Sequence, residues 1–151
     1  MAWVKFVHVA AVILWFGSAA ADVILELVLK KTDSRDGQLA LIGLHAKIDQ
    51  LLEAPAIVLA LFTGILLLFF GGTQWPGALV VKILCALAAA AANLYCVKVV
   101  VERDRWARAA APDVSLLQSP EGKRLGLRIF ATGSGIPFAV VALAIAVVYL
   151  R

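Results

Sequence analysis

The sequence predicts an all-α fold, a bundle of four transmembrane helices in a single domain that covers residues 1–151. Of the 151 residues, 63% are hydrophobic and 16% are charged, and the mean hydropathy is +0.95. Soluble domains are closer to half apolar and a quarter charged. A transmembrane helix needs about 20 mostly apolar residues. Four segments meet that requirement, at about residues 3–29, 51–70, 77–101 and 129–150.

The four predicted spans differ in how many ionisable residues they carry. The last span has no acidic, basic or histidine residue between Ile129 and Leu150. The second is interrupted by Glu53, and the third carries Lys82 near its start. The first carries the most, and its Lys5 followed by an apolar run is also typical of a signal peptide. We expect this segment to be retained as a membrane helix.

The distribution of basic residues predicts the orientation of the bundle. The connections at residues 30–47 and 98–128 contain eleven of the 14 Lys and Arg residues, whereas the connection "GGTQWPG" contains none. Basic loops usually stay on the cytoplasmic side, so we expect both termini outside, an N-out/C-out topology. Trp3 and Trp75 then lie at the outer interface. A bacterial-type inner membrane is the expected location, and basic residues placed beside apolar spans argue against nucleic acid as a partner.

Polar residues of the first span share one face. At about 100° per residue, a single narrow stripe contains His8, Trp15, Asp22 and Glu26. Because ionisable groups inside a bilayer are costly, this stripe is expected to face the other helices. Lys82 enters the membrane from the same side as His8 and at similar depth. Both side chains are candidate metal ligands, and the alternative is that His8 donates to a carbonyl while Lys82 extends outward.

A second polar group is expected near the cytoplasmic end of the bundle. It comprises Asp22 and Glu26 of the first span, and His45, Asp49 and Glu53 of the second, spaced by four residues. Five oxygen or nitrogen side chains at one depth are suited to a divalent cation. Ion pairs at helix ends are the commoner arrangement, so we expect these carboxylates to be neutralised mainly by Arg124 and Arg128, at the start of the fourth span, with a bound cation as the alternative.

Each predicted span also contains a sequence pattern that can be compared with known membrane-protein families. The segments are, in order, "WVKFVHVAAVILWFGS", "LLEAPAIVLALFTGILLL", "WPGALVVKILCAL" and "RLGLRIFATGSGIPFAVVALAIAVV". In this order and spacing they resemble the spans of the HemJ-type protoporphyrinogen IX oxidases and their CopD-like relatives. The resemblance covers most of the chain outside the two basic connections.

This resemblance implies a membrane protein that binds haem b and acts in electron transfer or as an oxidoreductase. The family's haem-associated histidine and lysine correspond to His8 and Lys82, and Trp15 on the same stripe is suited to pack against a porphyrin. The implied partners are a tetrapyrrole or a membrane redox protein. A histidine from a second protomer is a candidate for the remaining iron position, which makes a homodimer an expectation. No catalytic residue is assigned.

The sequence also departs from the family pattern. Asp22 and Glu26 stand where the family has an arginine, and "TGSG" replaces Asn-Glu before Pro137. These changes argue against oxidase activity more than against haem binding. The neighbouring alternative is CopD-like copper handling. It is disfavoured by a single methionine and by two cysteines, Cys85 and Cys96, that are not adjacent, because Cu(I) prefers sulfur ligands. A non-catalytic membrane protein with a cation at the cytoplasmic acidic site is the remaining hypothesis.

Overall fold

The chain is helical along most of the part that the structure, a computed structural model, describes: residues 1–70, 77–112 and 114–133. The helices are α1 (Ala2–Lys30), α2 (Arg35–Ile48), α3 (Ala54–Phe70), α4 (Gly77–Ala109) and α5 (Pro120–Thr132). A π-helical turn, Asp49–Glu53, joins α2 to α3. No strand occurs within these ranges, so the all-α prediction is confirmed for them.

Three helical segments within the described ranges are long and apolar enough to cross a membrane: Ala2–Lys30, Arg35–Phe70 and Leu79–Ala109. Only 22%, 28% and 17% of their most apolar stretches is buried inside the protein, so most of these apolar side chains face outward. Lipid tolerates such a surface, and water does not. The architecture is therefore that of a multi-pass membrane protein. Most of the fourth predicted span lies outside the described residues, and the N-out/C-out orientation stays a prediction.

The second span begins earlier than the sequence predicts. Residues 30–47 were expected to form a loop, but a helix starts at Arg35 and continues through the π turn to Phe70. Ser34 caps its N-terminus by accepting a hydrogen bond from the Gly37 backbone N–H at 3.3 Å. At 1.5 Å per residue this helix is about 54 Å long, well beyond a hydrocarbon core of about 30 Å. Its first turns therefore extend past the membrane.

The predicted linker between the third and fourth spans is also more helical than expected. Trp106 belongs to the long helix α4, and α5 already begins at Pro120. The guanidinium group of Arg35 donates to the carbonyl oxygens of Ala110 at 2.8 Å and Val114 at 2.6 Å. These two hydrogen bonds connect the start of α2 to the C-terminal end of α4 and the residues that follow it.

Packing along the bundle is divided among three apolar clusters. The first contains Trp15, Ala56, Ile57, Ala89 and Ala90; the second Ala46, Val99, Val100, Leu125 and Ile129; the third Leu29, Ile42, Ala107 and Leu116. Small alanines on α3 and α4 allow the helix backbones to approach closely. The first and third clusters include Trp15 and Leu29 of α1, and the segment between these two residues carries the partly buried Asp22 and Glu26.

Candidate metal centre

An ionisable cluster, here called the polar cluster, lies between α1, α2 with its π turn, and α4. It consists of Asp22, Glu26, His45, Asp49, Glu53 and Arg103. The last four of these residues are only 2 to 4% exposed. The structure therefore brings together all five residues that the sequence placed at one depth, and it adds an arginine from α4.

The π turn sets the positions of the two acidic residues on the second span. The backbone N–H of Ala54 bonds to the carbonyl of Asp49, five residues earlier, rather than to the usual fourth. Pro55, the next residue, has no N–H with which to continue the backbone ladder. Such π turns within α-helices occur frequently at functional sites. Here the turn directs both Asp49 and Glu53 into the interior of the bundle.

His45 has a different environment at each ring nitrogen. Its Nδ1 is 2.9 Å from Glu26 Oε1, which is a hydrogen-bond distance. Its Nε2 is 3.6 Å from Asp22 Oδ1 and 3.6 Å from Asp49 Oδ1, which is too long for a hydrogen bond. If the ring proton is on Nδ1 and is donated to Glu26, the lone pair of Nε2 faces Asp22 and Asp49.

The two aspartate oxygens that face His45 have no hydrogen-bond partner. Asp22 Oδ1 and Asp49 Oδ1 are both shielded from solvent, and neither has a hydrogen-bond partner among the described residues, although each lies 3.6 Å from His45 Nε2. One ligand atom each from Asp22, His45 and Asp49 lies within 4.8 Å of the others. Unpaired buried carboxylate oxygens are costly, so their convergence on one nitrogen requires an explanation.

Arg103 supplies the positive charge of the polar cluster. Its terminal nitrogen donates to Glu26 Oε1 at 2.5 Å and lies 3.0 Å from His45 Nδ1. Nδ1 cannot both donate to Glu26 and accept from Arg103, so with the proton on Nδ1 the Glu26 carboxylate is the acceptor that serves both donors. Glu26 thus holds the imidazole on one side and the guanidinium on the other.

The sequence prediction that Arg124 would neutralise these carboxylates is wrong. Arg124 bonds to Glu121 of its own helix and approaches Glu102 at 3.9 Å. Arg128, the other expected counter-ion, forms no ion pair with the cluster within the described residues. The physical reason is that α4 continues past the predicted membrane boundary, which turns its own Arg103 inward at the level of Glu26.

The remaining acidic groups of the polar cluster contact one another. Glu53 interacts with Asp22 and with the indole of Trp15, and Asp49 interacts with Asp22. Because Arg103 is engaged by Glu26, these three carboxyl groups share a buried volume without a hydrogen-bonded cation of their own. Neighbouring carboxylates in a region of low dielectric constant repel strongly unless a cation or protons offset their charge.

His8 occupies a separate site nearer the start of α1. Its Nδ1 is 3.0 Å from the Ala60 carbonyl oxygen and 3.0 Å from Thr63 Oγ1. Gly64 leaves room for the ring, because a Cβ at this position would stand 3.3 Å from His8 Cε1. Lys82 is close enough to interact electrostatically with His8. The carbonyl contact predicted as the alternative is present, and Nε2 is not used in either bond.

Trp15, the predicted porphyrin contact, is only 6% exposed and packs among the first apolar cluster. Its ring lies 6.0 Å from that of Phe16. A porphyrin beside Trp15 would therefore require the helices to separate. The His8 site and the polar cluster are distinct, since His8 and Asp22 are about 21 Å apart along the axis of α1.

No protein-family model, characterised protein or solved structure matches this chain. Membership of the HemJ-type or CopD-like families stays a prediction. Arg103 is the one residue of the polar cluster that the sequence did not single out. It stands among neighbouring charges in "ERDRWAR", where no periodic signal indicates which side chain turns inward.

Proposed function

We propose that this chain is a multi-pass membrane protein that binds one divalent metal ion in the polar cluster, with Asp22, His45 and Asp49 as ligands. The observation that carries the proposal is the pair of unpartnered aspartate oxygens, each 3.6 Å from His45 Nε2. Nitrogen and oxygen ligands bound tetrahedrally at zinc-like distances of about 2.1 Å stand about 3.4 Å apart. The two distances from His45 Nε2 to the aspartate oxygens are already close to that separation.

Charge supports the same proposal. Asp22, Asp49 and Glu53 contact one another, while Arg103 is bonded to Glu26. A divalent ion would offset two of the three negative charges where water cannot. Protonation is the competing way to neutralise these groups, since the contacts of Asp22 with Asp49 and Glu53 are of the kind that a shared proton would form. The Oδ1 atoms of Asp22 and Asp49 have no hydrogen-bond partner within the described residues, and they are the two atoms left available to a cation.

A second candidate function is haem b binding at His8, which the resemblance implies. One observation favours it: Nδ1 of His8 is bonded to the Ala60 carbonyl, which leaves Nε2 as the nitrogen that could ligate iron. The proximity of Lys82 fits a role as second ligand or as propionate partner. The buried position of Trp15 counts against the porphyrin contact predicted for it.

The metal proposal predicts that Asp49→Asn abolishes tight binding of a divalent ion. Full-length protein, purified in detergent and stripped with a chelator, is titrated with Co²⁺, which reports its own coordination by visible absorption. We expect one Co²⁺ per chain for the unaltered protein. We expect Asp49→Asn to weaken binding by more than the roughly 10- to 100-fold typical of losing an outer-sphere contact, since a ligand is lost.

The matched control is Asp104→Asn, which makes the same chemical change on α4. Asp104 is bonded to Arg108 and lies outside the polar cluster, so its replacement should leave Co²⁺ binding unchanged. Absence of stoichiometric Co²⁺ binding by the unaltered protein would reject the proposed function. Equal loss in both variants would show that general surface charge, and not the site, binds the ion.

A further inference from the structure

We infer that the polar cluster selects a first-row transition metal over Ca²⁺, and that Glu26 is the positioning residue that creates this preference through His45. This inference deepens the proposed function and rests on it. Glu26 lies in the cluster without being one of the three grouped ligands. Glu26 therefore acts on the metal through the residues that it contacts, His45 and Arg103.

The preference originates in the single nitrogen donor of the cluster. Imidazole suits Co²⁺, Zn²⁺, Fe²⁺ and Ni²⁺, whereas Ca²⁺ takes about six to eight oxygen ligands. The cluster offers carboxylates from Asp22, Asp49 and Glu53, and Asp49 and Glu53 are buried. The imidazole of His45 is therefore expected to supply much of the affinity for a transition metal and little of the affinity for Ca²⁺.

Glu26 determines whether that nitrogen is available. Imidazole binds a metal through Nε2 only when its proton is on Nδ1, and Glu26 Oε1 is the hydrogen-bond acceptor for Nδ1 at 2.9 Å. A carboxylate in this position fixes the tautomer, orients the ring and makes Nε2 a stronger donor. The two ring nitrogens point in different directions, so an oxygen bonded to Nδ1 does not also reach an ion on the Nε2 side.

Arg103 keeps Glu26 in place. Its guanidinium group is 3% exposed and bonds to the same Oε1 atom that accepts from His45. The three side chains come from α1, α2 and α4 and form one chain of contacts: guanidinium, carboxylate, imidazole. This chain ends at Nε2, where the two unpaired aspartate oxygens converge. The arrangement matches the carboxylate–histidine pairing that supports metal ligands in general.

The test compares Co²⁺ and Ca²⁺ binding to the full-length protein in detergent with Glu26→Gln. The glutamine keeps the shape of the side chain and removes its charge. We expect Co²⁺ affinity to fall by about 10- to 100-fold and Ca²⁺ affinity by less than about threefold. At saturating Co²⁺, the visible spectrum of the variant should shift, because a weaker imidazole donor changes the ligand field. A residue with a merely structural role would leave that spectrum unchanged.

Glu102→Gln is the matched control. It removes one negative charge from α4, but its carboxylate is 44% exposed and pairs only loosely with Arg124 at 3.9 Å. It should alter neither metal's affinity. Because Glu26→Gln leaves Arg103 buried without its partner, the double variant Glu26→Gln/Arg103→Met provides a form without that unpaired charge. The same selective loss of Co²⁺ affinity is expected there.

The outcomes separate the two proposals. If the unaltered protein binds no Co²⁺, the proposed function fails. If it binds Co²⁺ and Glu26→Gln and the double variant bind equally well, the proposed function stands and the role of Glu26 is rejected. If Co²⁺ and Ca²⁺ affinities fall by the same factor, Glu26 contributes only negative charge, and the selection through His45 is rejected.

Discussion

His8 shows how one hydrogen bond can serve two different functions. A ring nitrogen bonded to the Ala60 carbonyl satisfies a polar group inside an apolar helix pair, and this is sufficient reason for a histidine there. The same bond also fixes the tautomer that would present Nε2 to iron. The two roles differ in whether Nε2 binds iron, and a measurement on the bound group distinguishes them.

The haem hypothesis predicts that the purified protein is red and shows a Soret band. His8→Ala should abolish the band or convert it to a five-coordinate form, because the iron loses its proximal nitrogen. His45→Ala is the control, since it lies in the separate polar cluster and should retain haem. A colourless unaltered protein, or a band lost only in His45→Ala, would reject haem binding at His8.

The residues that could be predicted from the sequence are those whose role follows from helical spacing. Asp22 and Glu26 repeat at four residues, as do His45 and Asp49, and each pair therefore faces one direction. Helical spacing does not indicate which residue of another helix packs against such a stripe. Arg103 was not predicted because its inward orientation depends on how far α4 extends beyond the bilayer, and the composition of the sequence does not define that length.

At the scale of elements, the long helix formed by α2, the π turn and α3 is the main departure from the predicted layout. The charges of residues 35–48 are those of a loop, yet Ile42 and Ala46 pack in the apolar clusters shared with α4. Two buried apolar side chains one turn apart are too weak a signal in the sequence to outweigh the charges of this segment. Tertiary packing decides that this segment is helical.

The start of α5 allows a sharp test of element packing. Ser119 caps this helix, and a Cβ on Gly122 would overlap the carbonyl oxygen of Leu116. Gly122→Ala should therefore destabilise the protein by about 1 to 3 kcal/mol, as overpacking does. Thermal unfolding in detergent, followed by tryptophan fluorescence, measures the change.

Gly126 in the same helix provides the matched control. A Cβ there would meet nothing within 4 Å, so Gly126→Ala should be neutral or stabilise by up to about 1 kcal/mol through helix propensity. If the two alanine variants have the same stability, α5 does not pack against Leu116 as described.

At the scale of the whole molecule, the two candidate sites lie at different positions along α1. The His8 site lies about 9 Å from the start of α1, and the polar cluster lies near the far end of the same helix. The buried apolar residues around Trp15 separate the two sites. Which side of the membrane each site faces depends on the orientation, which the sequence predicts from charge alone.

That orientation predicts the outcome of reporter fusions. Fusions truncated after Asp33 and after Ser115 should report a cytoplasmic location, because both positions lie within the basic connections of the chain. A fusion after Gly72 should report the outside. The opposite pattern at all three positions would invert the topology and place the polar cluster at the outer face. Agreement of all three reporters on one side would contradict the membrane-crossing helices themselves.

The three proposed metal ligands lie within the first 49 residues, although the polar cluster is completed by an arginine at position 103. During synthesis, α1 and the following long helix are made before α4, so the proposed ligand set is complete before Arg103 is added. If an ion binds at that stage, α4 then brings Arg103 against Glu26 and completes the polar cluster around a bound ion. The order of the residues would in that case link synthesis to metal loading.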